Sequence, residues 1–371
     1  MNVLLENFGN ITLGMVVMWL IGGLLIYLAI AKDMEPTLLL PMGFGAILVN
    51  LPNSAAITEH GAVKLLFDFG IENGELFPLL LFIGIGAMID FGPLLSNPKL
   101  FLFGAAAQFG IFLTLGVASI FFDLSDAASI AIIGAADGPT AIFVAIQLAS
   151  KYTPAIMVAA YSYMALVPVI QPPVIKLITT KKERQIRMEY SASSVSKLTR
   201  ILFPIIVTVL TGLIAPDSAI LIGFLMFGNL IRECGVLNAL SETAQKVLAN
   251  LITLVLGISI AYQMTAEQFL KPETLLIIGL GLVAFIFDTI GGVMFAKFLN
   301  LFSKKKINPM IGAAGISAFP MSSRVVHKMG LAEDPSNFLL MHAAGANVSG
   351  QIASVIAGGL LLALVKSAIG A

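Results

Sequence analysis

Asp137 lies inside an apolar stretch and is followed by Gly138, Pro139 and Thr140. An ionisable side chain at the centre of a membrane helix costs at least about 2.5–3.5 kcal/mol on insertion scales, so its presence there points to function. Gly138 and Pro139 interrupt the helix and free backbone carbonyls at the same depth. A carboxylate beside unwound carbonyls and the Thr140 hydroxyl makes an oxygen-rich cage suited to a hard cation. Asp-Gly-Pro-Thr is also a good turn, with the aspartate as a helix cap. In lipid, an uncharged Ser or Asn would cap at lower cost, which favours the ion site.

A second interrupted stretch supplies the opposite side. Asn308-Pro309 opens it, Gly312 and Gly315 permit close backbone approach, Ser317 offers a hydroxyl, and Pro320 ends the helical run. Arg324 follows and has two readings: a side chain snorkelling to the inner interface, or an anchor for an anionic group. The last apolar stretch carries Asn347, Ser349, Gln351 and Ser354. Such residues often serve only helix packing. Asn347 stands out because Gly345, Ala346 and Gly350 let another backbone come close. Tyr161 and Tyr163 follow the Asp137 segment on a helix distorted by Pro168, Pro172 and Pro173, so one tyrosine is expected to line the cavity. Asp90 and Glu233 lie near span ends and need no function. Asp288 is deeper and has no assigned role.

The elements that must position these residues are membrane spans. Hydrophobic residues make up 58% of the chain and charged residues 11%, against about 25% charged in soluble domains. A mean hydropathy of +0.97 requires most of the chain to face lipid. Zero net charge offers nothing to nucleic acid. The single cysteine, Cys234, excludes an internal disulfide, and three histidines argue against a zinc site. No glycine-rich phosphate loop is present, which argues against a nucleotide-driven pump. Nor does any motif suggest a haem.

A span needs about 20 mostly apolar residues. Candidates fall at 12–31, 36–51, 76–95, 100–122 and 154–178, then at 200–215, 218–232, 247–264, 273–299 and 336–368. Glu6 precedes the first without a basic flank, so that span reads as a retained helix. The basic run from Lys176 to Arg200 and the cluster Lys304, Lys305 and Lys306 go inside, and the N-terminus and Asp68, Glu72 and Glu75 outside. Ser191, Ser193, Ser194 and Ser196 make the basic run a flexible linker. Its basic residues either set topology alone or also dock a soluble partner.

The halves echo each other. Ile133-Gly134-Ala135-Ala136 matches Ile311-Gly312-Ala313-Ala314, and Leu81-Phe82-Ile83-Gly84-Ile85 matches Leu254-Val255-Leu256-Gly257-Ile258, at a spacing of about 173 to 181 residues. The expected fold is an all-α polytopic membrane protein of two inverted repeats, each with about five transmembrane helices and a broken helix or re-entrant hairpin. Residues 1–198 form the first repeat, with broken segment 127–149 and a cytoplasmic linker 179–198. Residues 199–371 form the second, with broken segment 308–330.

The run Gly134-Ala135-Ala136-Asp137-Gly138-Pro139-Thr140-Ala141-Ile142-Phe143 resembles the signature of the beta subunits of sodium-pumping biotin-dependent decarboxylases. The resemblance continues through Ala160-Tyr161-Ser162-Tyr163-Met164-Ala165, Ile170-Gln171-Pro172-Pro173, Phe227-Gly228-Asn229-Leu230, Lys306-Ile307-Asn308-Pro309 and Asn337-Phe338-Leu339-Leu340-Met341-His342. It implies that a soluble carboxyltransferase moves CO2 from an oxaloacetate, malonate or acyl-CoA substrate to biotin. The beta subunit then decarboxylates carboxybiotin, consumes a proton and exports sodium across a bacterial inner membrane.

By the same resemblance Asp137 is the sodium and proton carboxylate, and Asn308, Ser317, Asn347 and Thr140 serve the sodium site. Arg324, with Ser317 and Gly312, meets carboxybiotin, and Tyr163 serves the proton and ion path. The implied partners are biotin-carrier and carboxyltransferase (alpha) subunits, a small single-span gamma or delta subunit, and two further beta copies in a trimer. His327-Lys328-Met329-Gly330 lacks a biotinylation core, so biotin comes from a partner. The short chain leans toward a methylmalonyl-CoA or glutaconyl-CoA complex over oxaloacetate. Two other classes fit the residues: a sodium-coupled secondary transporter or sodium/proton antiporter, and a non-catalytic membrane anchor. Sodium transport without a decarboxylase partner marks the first; indifference to changes at Asp137 and Arg324 marks the second.

Overall fold

A computed structural model describes residues 7–33, 36–73, 75–188 and 195–370. Glu6 and the linker serines Ser191, Ser193 and Ser194 lie outside the described residues. Among those described there is no strand, and seven helices are long and apolar enough to cross a membrane. The protein is an all-α, multi-pass membrane protein.

In the first half, α1 (Leu13–Lys32) starts at Thr12, whose hydroxyl accepts the Met15 amide at 3.2 Å. It packs on α2 (Pro36–Val49), where Gly22 and Gly43 face each other: a Cβ on Gly22 would lie 2.6 Å from the Gly43 carbonyl oxygen. Next come α3 (Leu76–Met88), α4 (Phe101–Ala106), α5 (Phe109–Ala118), α6 (Leu124–Ala131), α7 (Gly138–Gln147) and α8 (Thr153–Ile178). In the second half, α9 (Lys197–Ile214), α10 (Ala219–Glu233), α11 (Ala249–Ile260), α12 (Pro272–Phe302), α13 (Met310–Ala313), α14 (Met321–Glu333) and α15 (Leu340–Ile369) complete the framework.

Three expected spans come out as short helices. The stretch 36–51 yields a 14-residue helix, 218–232 one of 15 residues, and 76–95 one of 13 residues. The last stops at Met88 because Ile89 turns extended, at φ −71° and ψ 129°. The carbonyls released there are not left bare, which a lipid interior would penalise. Asn229 of α10 donates its side-chain amide to Gly86 and Ile89, at 3.3 and 2.9 Å. The stretch 100–122 also breaks, at Ala107-Gln108, where Gln108 donates back to the Gly104 carbonyl at 3.0 Å. By contrast, α8 runs unbroken for 26 residues through Pro168, Pro172 and Pro173. Gln171 beside them bonds across the molecule, donating to the Ala313 carbonyl at 2.7 Å and accepting from the Ser322 hydroxyl at 2.9 Å.

Two irregular turns separate helices within the stretches 127–149 and 308–330. The first runs from α6 through a 3₁₀ turn (Ile132–Ala135) and left-handed Ala136 into α7. The second runs from α13 through an irregular turn into α14.

The linker after α8 is held against the second half. Asn308 donates to the carbonyls of Arg184 and Ile186 at 2.8 and 2.9 Å, and Asn337 to that of Arg184 at 3.1 Å. Arg184 pairs with Glu333, and Arg187 with Asp334, each at 2.6 Å. Lys297 of α12 reaches Glu183 at 3.1 Å. The Arg187 guanidinium holds the Asp334 carboxyl below the usual carboxylate range, helped by the Ser336 amide.

Candidate functional site

Asp137 is 3% exposed at the mouth of the first break. Its backbone, at φ −122° and ψ 94°, stands outside the helix that Pro139 starts, so its side chain is free to face across rather than along α7. Oδ2 accepts the hydroxyls of Thr140 at 2.7 Å and Ser354 at 3.0 Å. Thr140 belongs to the first turn of α7, and Ser354 to α15. The carboxylate thus joins both halves of the chain.

The second break reaches the same place. The Ser317 amide and hydroxyl both donate to the Ala135 carbonyl, at 3.2 and 2.6 Å. Asn347 donates to the Ile316 carbonyl at 2.7 Å, and Gln351 to the Ser317 carbonyl. Asn347, Gln351 and Ser354 are spaced four and three apart, so they share one face of α15, directed at the junction of the breaks. Gly350 beside them lets α15 approach, since a Cβ there would strike the Gly315 carbonyl.

Two side-chain oxygens of this face, Asn347 Oδ1 and Gln351 Oε1, are buried without a hydrogen-bond partner among the described residues. Buried acceptors without donors are costly, and a cation satisfies them. The donor set is carboxylate, hydroxyl, amide and carbonyl oxygen, the set a hard cation takes. Among the described residues no three His, Cys, Asp or Glu cluster as a transition-metal site.

The other expected residues lie elsewhere. The Asn308 side chain is engaged with the linker, and its Oδ1 accepts the Met310 amide at 3.1 Å. Gly312 packs backbone to backbone against Gly292 of α12, and neither position has room for a Cβ. The Tyr163 hydroxyl donates to the Ile278 carbonyl while its ring stacks on Phe285, 6.4 Å between centroids. Arg324 is exposed on α14 and forms no ion pair or side-chain hydrogen bond with the described residues.

The tyrosine at the Asp137 turn is Tyr161. It is fully buried, its ring fills the space a Gly138 side chain would need, and its hydroxyl has no partner among the described residues. Ser354 and Gln351 are the site residues that a packing interpretation of the last span passes over. Their signal was the spacing from Asn347 along one helix face.

Comparison with known proteins bears on this arrangement as a whole. A family model for the Na+-transporting oxaloacetate decarboxylase beta subunit matches residues 14–365. The chain is 49% identical to the methylmalonyl-CoA decarboxylase subunit beta of Propionigenium modestum, over 96% of each chain. It is 49% identical to the glutaconyl-CoA decarboxylase subunit beta of Acidaminococcus fermentans, over 97% of this chain and 96% of the relative. It is 45% identical to the oxaloacetate decarboxylase beta chain of Haemophilus ducreyi, over 97% of each. With a match from the first span to the last, two interruptions meeting at one carboxylate and an all-α membrane fold, the chain belongs to the family of beta subunits of sodium-transporting decarboxylases.

Proposed function

We propose that this chain decarboxylates carboxybiotin delivered by a partner subunit and couples that reaction to sodium export across the bacterial inner membrane. The observation that carries the reading is the enclosed carboxylate of Asp137, set among two hydroxyls and beside two unpartnered amide oxygens. Sodium bound there neutralises the charge, and so does a proton, so the two exchange at one site. Asp137, Thr140, Ser317 and Asn347 contribute to the sodium site, with Ser354 and Gln351 added by the geometry. Asn308 contributes to it from the start of the second break, where its side chain holds the linker.

Carboxybiotin is an anion. Arg324, exposed and unpaired, suits its carboxylate as a planar fork of donors. The bond between biotin nitrogen and the carboxyl carbon breaks, CO2 leaves, and the nitrogen keeps the electron pair and takes a proton. A proton displaced from Asp137 by sodium is available for that step, and Tyr163 and Tyr161 flank its route. Ser317 and Gly312 shape the segment between Asp137 and Arg324.

Biotin and its carboxyl group come from carrier and carboxyltransferase (alpha) subunits. A small single-span gamma or delta subunit and two further copies of this chain complete the complex. A methylmalonyl-CoA or glutaconyl-CoA complex is favoured over oxaloacetate. The relatives named for acyl-CoA substrates are 49% identical and the oxaloacetate relative 45%, over a longer alignment of 425 residues. The linker goes inside and the N-terminus outside. The ends of α8, α12 and α14 that gather around the linker support one shared cytoplasmic face. The halves act as inverted repeats, and in each a broken segment precedes a long helix, α8 or α15. Rocking of one repeat against the other carries the site across. Unchanged transport after crosslinking the repeats would refute that motion.

The deciding experiment is carboxybiotin decarboxylation by the purified chain in proteoliposomes, with and without sodium. Wild type is expected to depend on sodium and drive its uptake, and Asp137→Asn to lose both. Sodium exchange without any action on carboxybiotin would make the protein a secondary transporter instead.

A further inference from the structure

Asp288 sits near the middle of the 31-residue α12 and is fully buried. The reaction proposed above does not use it. One carboxyl oxygen, Oδ1, accepts the backbone amides of Gly110 and, at 3.2 Å, Ile111, which open α5 after its break from α4. The Gly110 amide has no partner within its own helix, and the Ile111 amide also donates to the Gln108 carbonyl at 3.2 Å, so the oxygen caps the start of α5. The other oxygen, Oδ2, is buried and accepts nothing from the described residues. Among the described residues no Lys, Arg or His pairs with it.

Oδ2 points at the first break. A Cβ on Gly134 would lie 2.8 Å from it, so the glycine backbone packs directly on this oxygen. Gly134 belongs to the 3₁₀ turn Ile132–Ala135, whose last carbonyl receives Ser317 and whose chain continues into Asp137. The carboxyl of Asp288 and that of Asp137 therefore border the same short turn from opposite ends. The packing leaves no space for a sodium ion and its ligands between Oδ2 and Gly134. A proton needs no such space.

We propose that Asp288 is a second proton-binding carboxyl of this chain, and that the proton on Oδ2 holds the turn from which Asp137 hangs. With the proton in place the oxygen is neutral against Gly134 and the turn packs as seen. Without it, a bare charge faces an aliphatic backbone, and α12, α5 and the turn must separate to solvate it. Asp288 is thus a positioning residue, acting on the Asp137 site through backbone. Of the titratable groups on the elements packed against α12, Tyr161 of α8 lies against Gly138 with its hydroxyl unpartnered among the described residues, Lys176 at the end of α8 is exposed, and Tyr163, Asp126 and Lys297 have partners of their own. Tyr163 of α8 donates to Ile278, Asp126 of α6 accepts from Ser150 and Lys151, and on α12 itself Lys297 pairs with Glu183. Glu273 stands in the first turn of α12, far along the helix from Asp288.

The second claim, that the turn carries information to Asp137, rests on the sodium reading of that residue. The first does not. Infrared difference spectroscopy of the purified full chain separates them. In a pH titration without sodium, wild type is expected to show a protonated-carboxyl stretch that Asp288→Asn removes and Asp137→Asn retains. An Asp288→Asn spectrum identical to wild type would overturn the proposal. On sodium addition, that same stretch is expected to shift in wild type and not in Asp137→Asn. If Asp137→Asn shifts it as wild type does, the sodium reading of Asp137 fails while the proton on Asp288 stands. If sodium leaves the stretch unmoved in wild type, the positioning claim fails.

Asparagine presents both an acceptor and a donor, so Asp288→Asn is expected to keep near wild-type stability while Asp288→Ala loses it. Should neither variant fold, Gly134→Ala pushes on Oδ2 from the other side. It is expected to move the frequency of the stretch, and an unmoved frequency overturns the proposal.

Discussion

The two interruptions share a plan, a short helix, a turn and a second helix, yet they end in opposite environments. Every residue from Asp126 to Ala145 is buried, so the first break closes over its negative charge and supplies hydroxyls to it. The second is buried without a gap only from Asn308 to Ala318; it then opens at Phe319, and α14 keeps one face buried while presenting the Arg324 cation to the surface. The first is tied down by contacts within the membrane, the second by such contacts at Ser317 and Gly312 and by the linker at Asn308 and Glu333. The same backbone device can thus enclose a small ion or expose a binding group for a large anion. What differs is which end of the break the rest of the chain covers.

Removing the enclosed charge tests the first half of that contrast most severely. Asp137→Asn keeps the size of the side chain but takes the carboxylate charge away from a bound sodium. A loss of about 3 kcal/mol for a broken buried pair corresponds to roughly a hundredfold weaker sodium binding. Isothermal titration with sodium measures it; a change under about threefold would place the ion elsewhere. Next comes the exposed end. Arg324→Lys is expected to raise the KM for carboxybiotin about tenfold by losing the two-pronged contact, with sodium affinity unaltered. Equal loss of both would mean that the breaks are not separable.

Gly312→Ala tests whether the second break depends on close packing. A Cβ there meets the Gly292 backbone, and overpacking of this kind costs about 1–3 kcal/mol. Thermal unfolding should show that cost, and rescue by no side-chain change at a distance is expected. A smaller effect follows from Arg184→Ala. Its ion pair with Glu333 keeps some contact with water, with 12% and 15% of the side chains exposed, so its loss is expected to cost about 1 kcal/mol, below the about 3 kcal/mol of a fully buried pair. Faster proteolysis within the linker is the readout.

The mildest probe is acid. Asp334 has its carboxyl held below the ordinary range by Arg187. A depressed carboxyl adds stability above its unfolded value and loses that contribution as pH falls through the folded one. Linker protection from protease is therefore expected to hold at neutral pH and decline in acid below the usual aspartate range. Asp334→Asn removes that dependence, and an acid dependence that survives it would assign the transition to another group.

Much of this contrast was visible in the amino-acid sequence. Asp137-Gly138-Pro139 in an apolar stretch announced a break with a charge in it, and Pro320 with Arg324 announced the other. Those signals are local, written in residues that cannot continue a helix or enter lipid without a reason. Partners set by the packing of distant helices were not visible. Nothing near Asn308 says that its amide belongs to Arg184 and Ile186 of the linker. Nor does local sequence decide between Tyr161 and Tyr163, two residues apart, as the ring on Gly138; the rotation of α8 decides it. The short spans were hidden for a similar reason. Ile89 leaves its helix because Asn229, far along the chain, supplies donors for the abandoned carbonyls.

The Asp137–Ser354 hydrogen bond joins residues 217 positions apart. During synthesis from the N-terminus, the carboxylate enters the bilayer long before its second hydroxyl exists, and the Ala135 carbonyl likewise precedes Ser317. The nascent first half therefore carries an incomplete polar cluster that only the final helix closes. A ribosome that stops before α15 leaves a chain with its costliest group unsealed, a natural mark for the membrane proteases that clear unfinished proteins.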